Sequence, residues 1–168
     1  MGEPAIHHPN REKAESKATK AVVALLLIVS AALVLVITIG GWSALQGAQP
    51  LAFAYVIVNL VMAYYVSRWN RGVLPVAAAL AVLFAVLAAV AGPSWFARDK
   101  PGFDDPALAP ALLGMLTLAL LPVQALLVGF AMRGFSQQWN VEVEVDPDDQ
   151  HPPPGHSPRG GTPEPLGA

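Results

Sequence analysis

The chain has 168 residues, of which 54% are apolar and 13% charged; an ordinary soluble domain carries about 25% charged residues. The net charge is -2 and there is no cysteine, so a broad nucleic-acid-binding surface is not indicated, and disulfides, thiolate metal sites, iron–sulfur ligation and thiol redox chemistry are excluded. Between Ala21 and Met132 the only charges are Arg68, Arg71, Arg98, Asp99, Lys100, Asp104 and Asp105, and the uncharged stretches around them exclude a soluble globular domain.

Residues 1–19 read as a polar tail of mixed charge, with Glu12–Lys20 able to continue the first span as a helical stub. Its four basic residues, Arg11, Lys13, Lys17 and Lys20, are diluted by Glu12 and Glu15 and serve as a topology signal rather than a lipid-binding patch. Four apolar runs follow: Ala21–Ile39, Pro50–Val66, Val73–Ala91 and Ala107–Met132. A helix needs roughly 20 apolar residues to cross a core about 30 Å thick. The first run is longer than a signal-peptide core and is expected to be a retained span. None of the runs alternates as a strand does, and in lipid only helices or closed barrels satisfy the backbone. The sequence therefore predicts an all-α membrane protein, a four-transmembrane-helix bundle with disordered cytoplasmic tails. The membrane domain covers 20–135, with spans at about 21–42, 50–67, 73–95 and 106–132.

Local signals refine the spans. Asp105-Pro106 has the pattern of an N-cap followed by proline at the first helical position, and so predicts the start of span four. The acidic residues of that loop do not fit a calcium loop. Pro122, mid-span, removes a backbone hydrogen bond and crowds the Leu118 carbonyl, predicting a fixed kink, with Thr117 or Gln124 at hand to satisfy the freed groups.

Residues 136–168 form a juxtamembrane segment and a tail. Val141–Val145 alternates, but so short a run reads as an extended linker; the other reading is a strand donated to a partner's sheet. From Asp146 onward there are seven prolines and four glycines in 23 residues, a composition that cannot bury enough surface to fold. His7, His8, His151 and His156 lie in the tails and are not read as metal ligands.

Eight of the ten Lys and Arg residues fall on the side of the termini, two in the loop after span three. The positive-inside rule then places both termini in the cytoplasm. Trp42, Trp69, Trp95 and Trp139 each fall at a span end, where tryptophan prefers to sit. The Ala-rich, Arg-over-Lys composition points to a GC-rich bacterium and hence to its plasma membrane.

Within the spans, Tyr55, Asn59, Ala63 and Ser67 form one four-residue stripe, and Ala77, Ala81, Ala85 and Ala89 another, with Ala88 and Gly92 as a further small pair. Small residues permit close helix approach. Spans two and three are predicted to pack through these stripes, with Asn59 turned into the bundle or a protomer interface. Ala125 and Gly129 offer a small face on span four. With Pro122 and Gln124, the stripe residues from Asn59 to Ala89 are the candidate helix-packing or pore-facing positions.

No Asp, Glu, Lys, Arg or His lies well inside a span. That argues against ion-coupled transport, haem ligation and intramembrane proteolysis. No catalytic, cofactor or metal site is predicted, and the chain is expected not to be an enzyme. Three roles stay open: an accessory or scaffold subunit of a membrane assembly, an oligomeric pore or transporter for a neutral solute, and an anchor or regulator acting through its C-terminal tail. The expected partners are the lipid bilayer and either further copies or a larger membrane complex, not nucleic acid.

Overall fold

A computed structural model describes residues 5–98, 100–102 and 105–145. A short helix α1 (Pro9–Glu12) precedes four long ones: α2 (Ala14–Gly40), α3 (Gln49–Ser67), α4 (Val73–Ala97) and α5 (Pro110–Ser136). Each long helix has the length and composition to cross a membrane. The helical body is residues 8–141. A separate unit contains two three-residue strands, β1 (Ala5–His7) and β2 (Val143–Val145), paired antiparallel with Ile6 opposite Glu144. This corrects the reading of Val141–Val145 as a linker for Val143–Val145, while Val141 and Glu142 stay outside any strand. The partner strand is the N-terminal segment, with Ala5 opposite Val145 and His7 opposite Val143. The tail from Asp146, with its two histidines, and the loop acids Asp99 and Asp104 lie outside the described residues.

Buried positions recur every seven residues: Ser16, Val23, Ser30 and Ile37 on α2, and Leu113, Leu120, Leu127 and Gly134 on α5. A seven-residue repeat keeps one stripe of a helix facing a neighbour along its whole length. α4 packs chiefly against α5, α5 also against α2, and α2 against α3, while α3 and α4 touch little. The body is therefore two helical hairpins, α2–α3 and α4–α5, joined chiefly through α2 and α5, with α3 and α4 meeting in the buried cluster around Ala63, Val66, Ala77 and Ala81 and in the Tyr55–Phe84 stack.

The expectation that spans two and three close on each other is met only where Ala63 shares a buried cluster with Ala77 and Ala81; the main partner of α4 is α5. Close approach through small residues marks the α4–α5 contact instead, with Gly92 on α4 and Gly114 on α5. A Cβ on Gly92 would lie 2.5 Å from Leu118 Cδ2, and one on Gly114 would lie 2.7 Å from Phe96 Cε2. Ala125 and Gly129, the small face read for span four, are exposed.

Span four also begins later than its Asp105-Pro106 pattern predicts. Ala109 takes an extended ψ of 135° and Pro110 is the first helical residue. A residue before proline is disfavoured in the helical region, so the second proline sets the boundary. Leu108 gives its N–H to the Gly40 carbonyl at 3.1 Å, which fastens the segment to the end of α2.

The two ends of the body differ. At one end lie Lys20, Arg68, Arg71 and Arg133. The Arg71 guanidinium donates from Nε to the Phe135 carbonyl at 2.7 Å and from Nη1 to Asn140 Oδ1 at 3.0 Å. Lys20 Nζ sits 4.0 Å from the Trp69 ring centre, and Trp69 meets Trp139 edge to face. Trp139 is fully buried, so it is a core residue of that end rather than a member of a lipid-facing belt. The other end gathers Gly41 against the ring of Trp95, with Ser43 Oγ donating to the Asp105 carbonyl at 3.3 Å.

Candidate functional site

Three helices each send one polar side chain to the middle of the body. Ser30 comes from α2, Tyr55 from α3 and Gln124 from α5. Gln124 Nε2 donates to Ser30 Oγ at 2.7 Å and to Tyr55 Oη at 3.0 Å, and the two hydroxyls share a further hydrogen bond at 2.9 Å. Ser30 and Gln124 are 0% exposed. The Tyr55 ring stacks on Phe84 of α4, so the triad ties three helices by hydrogen bonds and reaches the fourth through an aromatic contact.

Asn59 lies one turn from Tyr55 on α3 and is also buried. Its Nδ2 donates to the Tyr55 carbonyl at 2.9 Å, within its own helix. It does not bridge to α4. Two carbonyl oxygens of this region, Asn59 Oδ1 and Gln124 Oε1, are buried and lack a hydrogen-bond partner among the described residues. Satisfying such a group from a ligand or water would recover roughly 1–3 kcal/mol.

Ala63, Ala77 and Ala81 are buried together with Leu127 and Ala131 in the core next to the triad. Ser67 and Ala89 are exposed, Ala85 is half-buried and Pro122 is exposed. The Ser67 hydroxyl donates to the Tyr64 carbonyl at 2.6 Å. α5 is helical without a break through Pro122. Neither polar neighbour turns to the backbone groups that the proline frees: Thr117 Oγ1 donates to the Leu113 carbonyl at 2.7 Å, and Gln124 is engaged in the triad. That expectation is corrected, because Gln124 lies on the buried face and Pro122 on the outward one.

One turn beyond the triad, towards Trp95, lies a cavity of about 140 Å³. Residues from all four long helices line it, among them Val34, Ala52, Phe84, Ala88, Thr117 and Leu120. Among the described residues there is no group of three or more His, Asp or Glu able to hold a metal ion.

No protein family, curated protein or solved structure matches the chain. The site therefore has to be read from its own chemistry. That chemistry is neutral: two amides and two hydroxyls, with no charged partner in contact among the described residues. Such a group can fix helix positions and orient a hydrogen-bonding solute.

Ser30, Phe84 and Thr38 are not among the candidates read from the sequence. A signal for Ser30 exists, because it shares the seven-residue stripe with Val23 and Ile37. No comparable pattern marks Phe84.

Proposed function

We propose that the chain is a non-enzymatic accessory or scaffold subunit of a membrane assembly, held in the plasma membrane with both termini in the cytoplasm. The observation that carries this reading is the use of the polar side chains within the spans. Gln124 spends both amide protons on Ser30 and Tyr55, and Thr38 and Thr117 donate to carbonyls of their own helices. The donor groups that would line a polar path are occupied, Gln124 in bonds between helices and the threonines in bonds within their own helices. Meanwhile α3 and α4 carry large exposed apolar side chains such as Ile57, Leu60, Val86 and Val90, which suit lipid or the helices of other subunits.

Purification of the full chain from its native membrane in a mild detergent tests the reading. A subunit retains defined partner chains in a fixed ratio. A chain that purifies alone and gives solute flux in proteoliposomes contradicts it. The second reading, a neutral-solute path, draws on the two unpartnered carbonyls, Asn59 Oδ1 and Gln124 Oε1, which would accept hydrogen bonds from a passing hydroxyl or amide. Flux that is lost in Asn59→Leu while the fold is kept would favour that path.

A further inference from the structure

We infer that a second cavity, at the basic end, binds a phosphate group against Arg71. It is lined by Trp69, Asn70, Arg71, Gly72, Phe135 and Asn140. Four of these residues form the link between α3 and α4, Phe135 lies in the last turn of α5 and Asn140 follows it. The volume is about 390 Å³, room for a phosphate with several waters, since a water takes about 30 Å³ of liquid.

The hydrogen bonds around this cavity engage its side-chain acceptors and leave its donors. Asn70 Oδ1 accepts from the Gly72 N–H at 3.0 Å, and Asn140 Oδ1 accepts from Arg71 Nη1 at 3.0 Å. Arg71 Nε donates to the Phe135 carbonyl at 2.7 Å. A guanidinium has five N–H donors, so three remain on Arg71. Those three, both amide NH2 groups and the Trp69 indole N–H have no acceptor among the described residues. Free donors gathered around one cation call for an anion that accepts through several oxygens. A phosphate group is such an anion.

The cation is fixed before any ligand arrives. Besides its two hydrogen bonds, the Arg71 guanidinium carbon sits 4.1 Å from the Phe135 ring centre. Holding a binding group in place lowers the ordering cost of association. No carboxylate pairs with Arg71 among the described residues, and Glu15 is taken by Arg133 at 3.6 Å. A guanidinium fork matches a phosphate in charge and geometry. Lys20, with Nζ 4.0 Å from the Trp69 ring centre, adds a second positive charge next to the cavity wall. The cavity lies where α3 ends and α4 begins. A phosphate can reach that level from two sources, a lipid headgroup at the membrane surface or the free ion in water.

The full chain in nonionic micelles, labelled with 15N at its tryptophans, gives one indole N–H signal for each, and Trp69→Phe identifies that of Trp69. It is titrated at constant ionic strength with inorganic phosphate and, separately, with a short-chain phosphatidic acid. The Trp69 signal should shift saturably. A response to the lipid alone assigns the phosphate to a headgroup; a response to inorganic phosphate shows that the free ion is bound. Arg71→Gln should raise the half-saturating concentration about fivefold, the effect of losing one basic contact at a lipid surface. Asn140→Ala, which removes one amide donor, should raise it about threefold. Arg133→Gln, at the same end but outside the cavity, should leave it unchanged. Trp42 and Trp95 signals at the positions of the unaltered protein show that a variant keeps its fold. No saturable shift with either titrant overturns the inference. So does an equal shift with chloride, acetate or the matching diacylglycerol, an unchanged half-saturation in both Arg71→Gln and Asn140→Ala, or equal weakening in Arg71→Gln and Arg133→Gln.

Discussion

Glycine acts in this chain through the space it leaves. At Gly92 the facing atoms are Leu118 Cγ and Cδ2, both under 3.0 Å from where a Cβ would stand; at Gly129 nothing lies within 4 Å. Gly92→Ala should therefore destabilise the body by about 1–3 kcal/mol, the usual result of overpacking a close contact. Gly129→Ala should be tolerated or mildly stabilising, since alanine is the better helix former by up to about 1 kcal/mol. Unfolding in mixed micelles with increasing dodecyl sulfate measures both. Equal effects at the two positions would remove the α4–α5 crossing from the account. Trp69 shows the opposite economy. It stands at the end of α3 with a φ of 64°, a region costly for a bulky residue. The Trp69 and Asn70 N–H groups close the helix onto the Val66 and Tyr65 carbonyls at 3.0 and 3.1 Å, and Lys20 and Trp139 hold the ring. Here tertiary contacts fill a position where glycine is the usual residue.

At the scale of elements, the four helices were legible because 17 or more successive uncharged and mostly apolar residues have few other structures open to them. Their neighbours were not legible, for a geometric reason. A strict four-residue row advances about 40° around the helix at each step, because 3.6 residues make a turn. Ser67 is three steps from Tyr55, and Ala89 three steps from Ala77; each has rotated about 120° away from the first member of its row. Both are exposed, whereas the true buried stripe of α4 runs through Leu74, Ala77, Ala81, Ala88, Gly92 and Trp95. The triad was half legible. Gln124 and Asn59 stood out as amides in apolar runs, but nothing in one sequence says that Gln124 meets Ser30, 94 positions away. The strand pair was illegible for the same reason, since its two halves lie at opposite ends of the chain. The absence of cysteine makes the neighbour order easy to check. Cysteines at 92 and 118 should form a disulfide under mild oxidation. Cysteines at 59 and 81, on α3 and α4, should not. Efficient linkage of the second pair alone would restore the packing that the four-residue stripes suggested.

For the whole molecule, two hairpins share one polar lock, with α3 and α4 in lighter contact than the other neighbours. The basic end, with Lys20, Arg68, Arg71 and Arg133, brings together the start of α2, the end of α3, the start of α4 and the end of α5. If the positive-inside rule governs insertion, reporter fusions after residues 46, 70, 102 and 150 should read outside, inside, outside and inside. A fusion at 150 that reads outside would reject this orientation. Whether the buried polar groups lock helices rather than line a path is decided by a double-mutant cycle of Ser30→Ala and Gln124→Leu, followed by unfolding in mixed micelles. A helix lock gives a favourable coupling between the two side chains of about 0.6 kcal/mol, with an upper range near 1.7 kcal/mol, as measured for other interhelical hydrogen bonds in membranes. Strictly additive effects of the two substitutions would contradict it.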